Sequence, residues 1–456
     1  MSRHELIAFE RAEIRRMPGG EPAIPDLTWT IGQGEAWALT GPTGSGKTTH
    51  GETLAGRHRV AAGLARWPIA DGHPSPSAVV SFVGFREESR AFSYAGKYYQ
   101  QRYEFVAGDD EQPATLASYL GESADDVLLD RFGLASLKDR LFVTLSNGQT
   151  RKARIIKALA NRPRLLVLDD PYVGLDAAAK TDLNDTLHRQ FRSGMNLVLI
   201  ARPGDVPGWI DRRLSLANPP CGDADPHDPG IPRDGPNPGG DVVVELDRVS
   251  IRHGSTTLLS DLSWTVRRGE RWAIVGRNGS GKTTLISLLC GDHPQAFSQR
   301  VSLFGQRRGS GESIWDVKRR VGLVSPELHL YFSEPLTVRQ TIASGFTETL
   351  VAPLTTDDQQ AAMNAIAGDL KLSAMLDRPF RQLSSGEQRL TLIARSLVKQ
   401  PELIVWDEPF QCLDDASIRR VMRLLDRQVT NSQTILLVTH DPTELPRGFT
   451  TTLRLA

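Results

Sequence analysis

The amino-acid sequence predicts an α/β fold that occurs twice along one chain. Short apolar runs alternate with longer amphipathic stretches throughout the 456 residues, as strands alternate with helices around a parallel sheet. In each half, one apolar run leads into a glycine-rich loop, and later runs are nearly continuously apolar, which is typical of strands buried on both faces. The same landmarks recur in the same order in both halves. We therefore expect two α/β domains, each with a helical subdomain inserted after the glycine loop.

The internal repeat keeps its register over most of each half. Residues 26–49 and 261–284 align at an offset of 235 residues (261 − 26). Three later pairs of segments align at an offset of 238 (for example, 383 − 145): LSNGQ with LSSGE, LLVLDDP with LIVWDEP, and NLVLIAR with ILLVTH. Because the offset changes by only three residues (238 − 235), the repeat indicates a duplicated domain.

The segment 218–240 separates the two copies. It is rich in Pro, Gly and Asp, which do not support a helix or the interior of a strand. It therefore predicts a mobile linker, with an ordered surface loop as the alternative. The expected domains are 1–217 and 241–456, each large enough to contain its own core.

Composition argues against several classes of protein. Lys and Arg together number 54, and Asp and Glu together also number 54, so we expect no overall basic field and no nucleic-acid partner. No apolar run approaches the roughly 18 to 20 residues of a spanning helix, and the first residues lack the apolar centre of a secretory signal. Cys221, Cys290 and Cys412 lie far apart, as in proteins of a reducing compartment. These features predict a cytoplasmic protein.

Both copies contain the phosphate-binding loop pattern GxxxxGK[ST] directly after an apolar run. Such a loop directs backbone N–H groups at phosphate oxygens at the start of a helix. Lys47 and Lys282 are expected to reach the β- and γ-phosphates, and the Thr48 and Thr283 hydroxyls to bind Mg²⁺. The predicted nucleotide-binding residues are Gly41, Pro42, Thr43, Gly44, Ser45, Gly46, Lys47, Thr48 and Thr49 in the first copy, and Gly276, Arg277, Asn278, Gly279, Ser280, Gly281, Lys282, Thr283 and Thr284 in the second.

Each copy also contains an acidic pair at the end of an apolar run. Asp169 and Asp407 stand where a second contact to Mg²⁺ belongs. The next residue is expected to polarise the attacking water, and it is Asp170 in the first copy and Glu408 in the second. Aspartate is one methylene shorter, and a displacement of about 1 Å costs about a hundredfold in rate. The alternative is that Asp170 works adequately through an adjusted backbone.

With these segments, both copies resemble the nucleotide-binding domains of the ATP-binding-cassette superfamily. The hallmark LSGGQ is matched by LSNGQ and LSSGE, which precede the acidic pairs by 24 residues (169 − 145 and 407 − 383). In that family two domains dimerise head to tail, so that each ATP lies between the P-loop of one domain and the LSGGQ of the other. The resemblance implies that ATP and Mg²⁺ are bound, that ATP is hydrolysed, and that the two halves form an intramolecular sandwich.

The resemblance also implies the composition of the two sites. Site one combines Lys47, Thr48, Asp169 and Asp170 with Ser384, Ser385 and Gly386 of the second domain. Site two combines Lys282, Thr283, Asp407, Glu408 and His440 with Ser146, Asn147 and Gly148 of the first domain.

The two sites differ after the last apolar run. His440 matches the family's switch histidine, which contacts the γ-phosphate and the attacking water, whereas the first copy has Arg202 at this position. Arginine can neutralise phosphate charge, but it has no ring nitrogen to accept a proton. Site one therefore departs from the family at Asp170 and Arg202. We hypothesise that site two hydrolyses ATP, while site one mainly binds it.

Two family features are weak in this chain. Relatives offer an aromatic side chain before the P-loop to stack on adenine; the first copy has none over residues 11–20, and the second has only His253. The family's glutamine after the next strand is also missing from the second copy, where Ser325, Pro326 and Glu327 stand. The contact to adenine and the link to a partner are therefore less well defined.

Residues 309–332 and the following TVRQTIASGF resemble a family of tandem ATPases from molybdenum-uptake operons, labelled ModF and also photorepair protein PhrA. YYQQRYE in the first half is similar to the same group. This resemblance implies a role in molybdate transport or a related role, with a membrane permease as partner and a position on the cytoplasmic face of the inner membrane. The contact surface for that permease would include Tyr98, Tyr99 and Tyr103 near Arg102, and also the segment 328–332. The alternative is that these aromatics belong to the core of the helical subdomain.

Two other classes remain as alternatives. Tandem-cassette translation factors act on the ribosome, but they have long charged helical linkers and glutamate in both acidic pairs. A DNA-repair or regulatory ATPase is suggested only by the photorepair label, since no zinc-finger spacing, coiled-coil insert or basic tail is present. The balanced charge and the Pro/Gly-rich segment favour the transport interpretation.

Overall fold

The computed structural model describes residues 5–16, 22–84, 115–121, 126–142, 145, 147–175, 177–216, 240–253, 256–277, 279–332, 335–349, 353–429, 432–439, 445, 448–449 and 451–455. These residues form two compact units, 5–216 (unit 1) and 240–455 (unit 2). The predicted linker 218–240 lies almost entirely outside the described residues, as do Tyr98, Tyr99, Arg102 and Tyr103. The boundaries 1–217 and 241–456 stay predictions.

Unit 1 is built from eight described strands and five described helices. In chain order they are β1 (Glu5–Arg15), β2 (Pro22–Gly32), β3 (Ala36–Thr40), α1 (Lys47–Leu54), β4 (Arg59–Arg66), β5 (Val80–Val83), α2 (Leu116–Leu120), α3 (Asp126–Arg131), α4 (Asn147–Ala160), β6 (Leu165–Asp169), α5 (Ala177–Arg192), β7 (Asn196–Ile200) and β8 (Arg212–Ser215). The strands form an antiparallel sheet in the order β2-β1-β4 and a parallel sheet in the order β5-β6-β7-β3-β8.

Unit 2 repeats this arrangement. Its elements are β9 (Val242–His253), β10 (Thr256–Arg267), β11 (Arg271–Gly276), α6 (Lys282–Leu289), β12 (Arg300–Leu303), β13 (Gln306–Arg307), α7 (Ile314–Arg320), β14 (Val321–Val324), α8 (Pro326–Tyr331), α9 (Val338–Ala343), α10 (Asp357–Asp369), α11 (Ser385–Leu397), β15 (Leu403–Asp407), α12 (Asp415–Gln428), β16 (Thr434–Thr439) and β17 (Thr451–Leu455). The antiparallel sheet has the order β10-β9-β12-β13, and the parallel sheet has the order β14-β15-β16-β11-β17. The parallel sheets of the two units are therefore equivalent strand by strand.

The central strands are buried on both faces, as their continuous apolar sequences predict. Successive side chains of β15 point to opposite faces: Ile404 and Trp406 pack among the helices, whereas Leu403 and Val405 pack with the antiparallel sheet. In β6, alternate residues divide in the same way. Each parallel sheet thus has helices on one face, and the P-loop helix together with the antiparallel sheet on the other. Its carboxyl edge is left to carry the loops that form a site.

The helices begin where capping residues stand. Ser384 caps α11, and Thr337 and Thr356 cap α9 and α10, each through a reciprocal pair of hydrogen bonds with the residue three positions later. None of the described helices combines the length and the apolar character needed to cross a membrane. Phe332, which follows α8, is buried and packs edge to face on Phe380 at a centroid distance of 4.9 Å. This residue therefore belongs to the core of unit 2 and not to an exposed contact surface.

Candidate functional site

Each P-loop connects a central strand to the first turn of a helix. In unit 1 the loop joins β3 to α1, and in unit 2 it joins β11 to α6. Gly46 and Gly281 precede these helices with φ values of 87°, in the left-handed region that favours glycine. At Gly281, a Cβ atom would also lie only 2.5 Å from the Leu258 carbonyl oxygen. These conformations aim the first N–H groups of α1 and α6 at the loop, where a phosphate would bind.

The two P-loop lysines lie across their own loops. The Lys47 ammonium donates to the carbonyl oxygens of Gly41 and Pro42 at 2.7 and 2.8 Å. Lys282 donates in the same way to Gly276 at 2.6 Å and to Arg277 at 2.8 Å. A positive charge is therefore held at each loop in the place where β- and γ-phosphate oxygens are expected.

The loop serines provide an independent test of this assignment. Among the atoms that the structure describes, the buried hydroxyl oxygens of Ser45 and Ser280 have no hydrogen-bond partner. A buried polar group without a partner is costly unless a ligand supplies one. A phosphate oxygen is a suitable acceptor, so both loops fit a nucleoside triphosphate. Asn278 lies outside the described residues.

The candidate metal ligands of unit 1 lie next to each other. The Thr48 hydroxyl donates to Oδ2 of Asp169 at 2.7 Å, and Asp169 is only 2% exposed. Burial, with a smaller contribution from the charge of Asp170, raises the pKa of Asp169 to about 7. A hydroxyl and a buried carboxylate are ligands that suit Mg²⁺, which usually takes its remaining ligands from water and substrate phosphates.

Unit 2 has its own group of acidic residues at the equivalent place. Asp407 ends β15 and is 6% exposed, and Thr283 lies in the first turn of α6. Burial raises the pKa of Asp407 well above its ordinary value, and the charges of Glu327 and Glu408 add to this effect. Lys282 opposes the shift, so its charge also lies near Asp407. A bound cation would stabilise the ionised carboxylate in this setting.

The residue after each of these aspartates has an unusual backbone conformation. Asp170 has a φ of 49° and Glu408 a φ of 47°, both in the left-handed region. The backbone N–H of Asp170 donates to Ile200 at 2.9 Å, and that of Glu408 donates to Val438 at 2.9 Å. A non-glycine residue in this region stores about 1–3 kcal/mol of strain, which persists where the surroundings fix it. The two units therefore present their second acidic residue from the same strained position.

The residues that follow the equivalent strands β7 and β16 differ between the units, and only the one in unit 1 lies within the described residues. Arg202 follows β7 and precedes a short 3₁₀ turn, Pro203–Asp205. Burial raises the pKa of Asp170, and the charge of Arg202 is among those that oppose the shift, which places Arg202 near this carboxylate. His440, its counterpart in unit 2, lies outside the described residues.

The signature segments LSNGQ and LSSGE lie at the start of α4 in unit 1 and of α11 in unit 2. In unit 2, Ser384 caps α11, which begins with Ser385 and Gly386. The Ser384 hydroxyl interacts with the Glu387 carboxylate at 2.8 Å. In unit 1, α4 begins at Asn147 and Gly148, while Ser146 and the side chain of Asn147 lie outside the described residues. The structure thus brings the P-loop and the acidic pair together within each unit and puts the signature on a separate element.

Three residues that the sequence did not identify also lie at these sites. Arg151 and Arg389, in α4 and α11, donate hydrogen bonds to the backbone of the acidic pairs. They are separated by the repeat offset of 238 (389 − 151). An alignment of the two copies therefore pairs these arginines, and this pairing could have identified them from the sequence. Arg16 donates to the Thr49 hydroxyl at 2.8 Å, beside the P-loop helix. The side chain of His253, which ends β9, lies outside the described residues.

Comparisons with known proteins agree with this geometry. The family described as ABC transporter matches residues 24–173 and 259–411. The chain is 33% identical over 465 aligned residues to the ABC transporter ATP-binding protein ModF of Escherichia coli (strain K12), covering 94% of this chain and 92% of ModF.

Two yeast proteins are also similar over much of the chain. An uncharacterized ABC transporter ATP-binding protein of Schizosaccharomyces pombe is 30% identical, with 93% of each chain covered. Another from Saccharomyces cerevisiae is 29% identical, with 71% of this chain and 70% of the yeast protein covered. Two matched regions of one family, each containing a P-loop followed by an acidic pair at the end of a buried strand, establish the relationship. The chain belongs to the ABC transporter family and is an ATPase with two ATP-binding domains in tandem.

Proposed function

We propose that this protein is the ATP-hydrolysing subunit of a transporter that takes up molybdate, and that its two ATP sites are not equivalent. The observation that carries the asymmetry is the acidic residue at the shared left-handed position, aspartate in unit 1 and glutamate in unit 2. The molybdate assignment depends on the similarity to ModF and to the family of molybdenum-uptake operons. A role on ribosomes or in DNA repair is the alternative.

In this proposal the two domains form a head-to-tail sandwich within one chain. The P-loop and acidic pair of one domain face the signature segment of the other, so each ATP is bound by both domains. Ser384 suits this role because it begins an amphipathic helix whose N-terminal N–H groups favour an anion. A specific ATPase activity that rises with protein concentration would contradict the intramolecular arrangement, because it would require two chains per site.

Site two carries the hydrolysis. Lys282 holds the β- and γ-phosphates, and Thr283 and Asp407 would hold Mg²⁺, which neutralises charge on the phosphate oxygens when bound. Glu408 polarises the water that attacks the γ-phosphorus, and His440 contacts the γ-phosphate. The buried position of the acidic pair supports this role, since removal from bulk water strengthens its electrostatic effect.

Site one binds ATP and holds the sandwich closed. Lys47, Thr48 and Asp169 supply the same phosphate and metal contacts as in site two. Asp170 is shorter than glutamate, and Arg202 replaces a histidine with a permanent positive charge. That charge favours retention of the γ-phosphate but provides no group to accept a proton.

The asymmetry is tested by steady-state ATP hydrolysis of two variants. Glu408→Gln should lose nearly all turnover, whereas Asp170→Asn should retain most of it. The opposite result would exchange the roles of the sites. Binding of a fluorescent ATP analogue serves as the control, since both variants keep the P-loop lysines and should bind it as the wild-type protein does.

The transport role is tested by asking what accompanies the ATP-bound protein. Glu408→Gln should trap the closed state, and proteins recovered with it are identified from membrane and soluble fractions. An integral membrane permease is the expected partner, with the chain peripheral on the cytoplasmic face. Recovery of ribosomes or DNA-processing proteins without a permease would contradict transport. Molybdate uptake by cells that lack the chain, with and without the wild-type copy, then tests the cargo.

A further inference from the structure

Arg389 links three separate segments of unit 2 from the interior of α11. Its side chain is completely buried. Nη1 donates to the Ser325 carbonyl oxygen at 3.1 Å, and Nη2 donates to the Glu408 carbonyl oxygen at 3.2 Å and to Oε1 of Gln411 at 3.3 Å. The guanidinium therefore connects the end of β14, the acidic pair after β15 and the loop before α12.

Arg151 makes the corresponding connection in unit 1. Its Nη1 donates to the Gly84 carbonyl oxygen at 2.6 Å, and its Nη2 donates to the carbonyl oxygens of Asp170, at 2.6 Å, and of Asp169. Gly84 directly follows β5, as Ser325 directly follows β14. The two copies of the domain differ at many positions, yet the same residue type spans the same two loops in both. This recurrence indicates a function that both domains share.

The backbone of Glu408 is held on both sides. Its N–H donates to Val438 at 2.9 Å, and its carbonyl oxygen accepts from Arg389. Together these bonds fix a left-handed conformation, with φ at 47°, that a glutamate does not adopt without support. The carbonyl oxygen also accepts from the Gln411 backbone N–H at 3.3 Å. If the arginine were lost, the neutral bond from Gln411 would remain, but the peptide group after Glu408 would be held less firmly and the carboxylate would shift with it.

The planar guanidinium suits this task better than other cations. It presents five N–H donors in a rigid fork, so one side chain reaches acceptors on different segments. The carboxylates of Asp407, Glu408 and Glu327 lie near enough to oppose the lowering of the Arg389 pKa by burial. The charge of Arg389 is thus offset within the acidic group that it supports.

We propose that Arg389 is a positioning residue for ATP hydrolysis, which holds the backbone of Glu408 so that its carboxylate meets the attacking water. Arg151 holds Asp170 in the same way in unit 1. Because Ser384 of the signature caps α11, the arginine also joins the signature helix directly to the acidic pair of its own domain. The inference rests on the proposed role of Glu408 in site two.

The test compares Arg389→Lys with Arg395→Lys. Arg395 lies on the same helix and is equally inaccessible, but it bonds to Ser344 and Glu348 at 3.0 Å instead of to the acidic pair. Arg389→Lys should lower kcat about 10- to 100-fold while KM for ATP changes little, because a small displacement of the reacting group affects the chemical step. Arg395→Lys should keep the wild-type kcat. Wild-type kcat in Arg389→Lys, or an equal loss in both variants, would overturn the proposal.

A double-mutant cycle tests whether Arg389 acts through Glu408. Glu408→Asp already displaces the carboxylate, so adding Arg389→Lys to it should reduce kcat by less than Arg389→Lys does alone. Full additivity would overturn the inference, since residues that act through one another are not additive. Failure of the proposed function is distinct, because it would appear in the wild-type background as turnover that survives Glu408→Gln. Thermal unfolding confirms that each variant is folded.

Discussion

Unit 1 and unit 2 place an acidic residue at the same strained backbone position, after equivalent strands and under equivalent arginines. In unit 1 this residue is Asp170, which lies with Asp169 near the charges of Arg202 and Asp205. In unit 2 it is Glu408, which lies with Glu327 near Asp407. The backbone conformation is therefore duplicated, while the side chain that it carries differs in length. In the proposed function, side-chain length and charge at these positions make the two sites unequal although the fold around them is the same.

The largest effect is expected from making site two resemble site one. Glu408→Asp leaves the charge and the backbone position in place but withdraws the carboxylate by one methylene. We expect kcat to fall about a hundredfold, because a displacement of about 1 Å has this cost. The measurement is steady-state phosphate release at saturating ATP. Asp170→Glu is the matched control and should lower turnover little; if it caused the larger loss, the two sites would have to exchange roles.

The P-loops allow a second comparison, between two glycines with the same φ. At Gly281 a Cβ atom would lie 2.5 Å from the Leu258 carbonyl oxygen, whereas at Gly46 its nearest contact is 3.7 Å from the His50 ring. Gly281→Ala should therefore lower the free energy of unfolding by about 3 kcal/mol, through strain and a steric clash. Gly46→Ala should cost only about 1 kcal/mol, from the left-handed conformation alone. Denaturant unfolding of both variants provides the measurement, and equal losses would contradict this explanation.

A smaller effect is expected from making site one resemble site two. In a Glu408→Gln background, Asp170→Glu together with Arg202→His should raise turnover about tenfold, because the pair restores a longer carboxylate and a group able to accept a proton. Arg202→His alone is the control and should restore less. If the combined variant stays as inactive as its parent, a difference elsewhere in the site limits hydrolysis.

Much of the fold could be predicted from the sequence, and the reason is physical. Parallel strands buried on both faces have continuous apolar sequences, so LLVLD and LIVWD identified β6 and β15, and the glycine loops identified the helices that follow β3 and β11. The lysines, threonines and acidic pairs could be named because their spacing along the chain is fixed by the loop and the strands. The geometry of unit 1 places Thr48 against Asp169, as that spacing implies.

Contacts between segments that lie far apart in the sequence could not be predicted from motifs or from hydrophobic patterns. Arg389 reaches Ser325 across 64 residues of sequence, and no local pattern distinguishes it from an ordinary helix arginine. Phe332 stands in a segment for which the sequence left a partner surface and a core position open, and it packs on Phe380 in the core of unit 2. The left-handed φ of Asp170 and Glu408 also depends on tertiary hydrogen bonds. Such features depend on tertiary packing, and the hydrophobic periodicity of a single helix or strand does not predict them.

The smallest effect concerns the pH dependence of stability in the nucleotide- and metal-free protein. Burial raises the pKa of Asp169 to about 7, so between about pH 4 and pH 7 the folded state binds a proton that the unfolded state has released. The free energy of unfolding should therefore decrease as the pH rises through this window. Asp169→Asn cannot ionise, and it should flatten the decrease. Asp407, whose pKa is also raised, accounts for part of the slope that remains.

The control for this prediction is an aspartate with the opposite shift. Hydrogen bonds from Ser313 lower the pKa of Asp316, so its titration lies below the window. Asp316→Asn should therefore leave the slope between about pH 5 and pH 7 unchanged, whereas Asp169→Asn should reduce it. Thermal unfolding followed by circular dichroism at a series of pH values makes the comparison. An unchanged slope in Asp169→Asn would mean that this carboxylate is already ionised in the folded protein, and that burial in unit 1 is offset more strongly than the structure indicates.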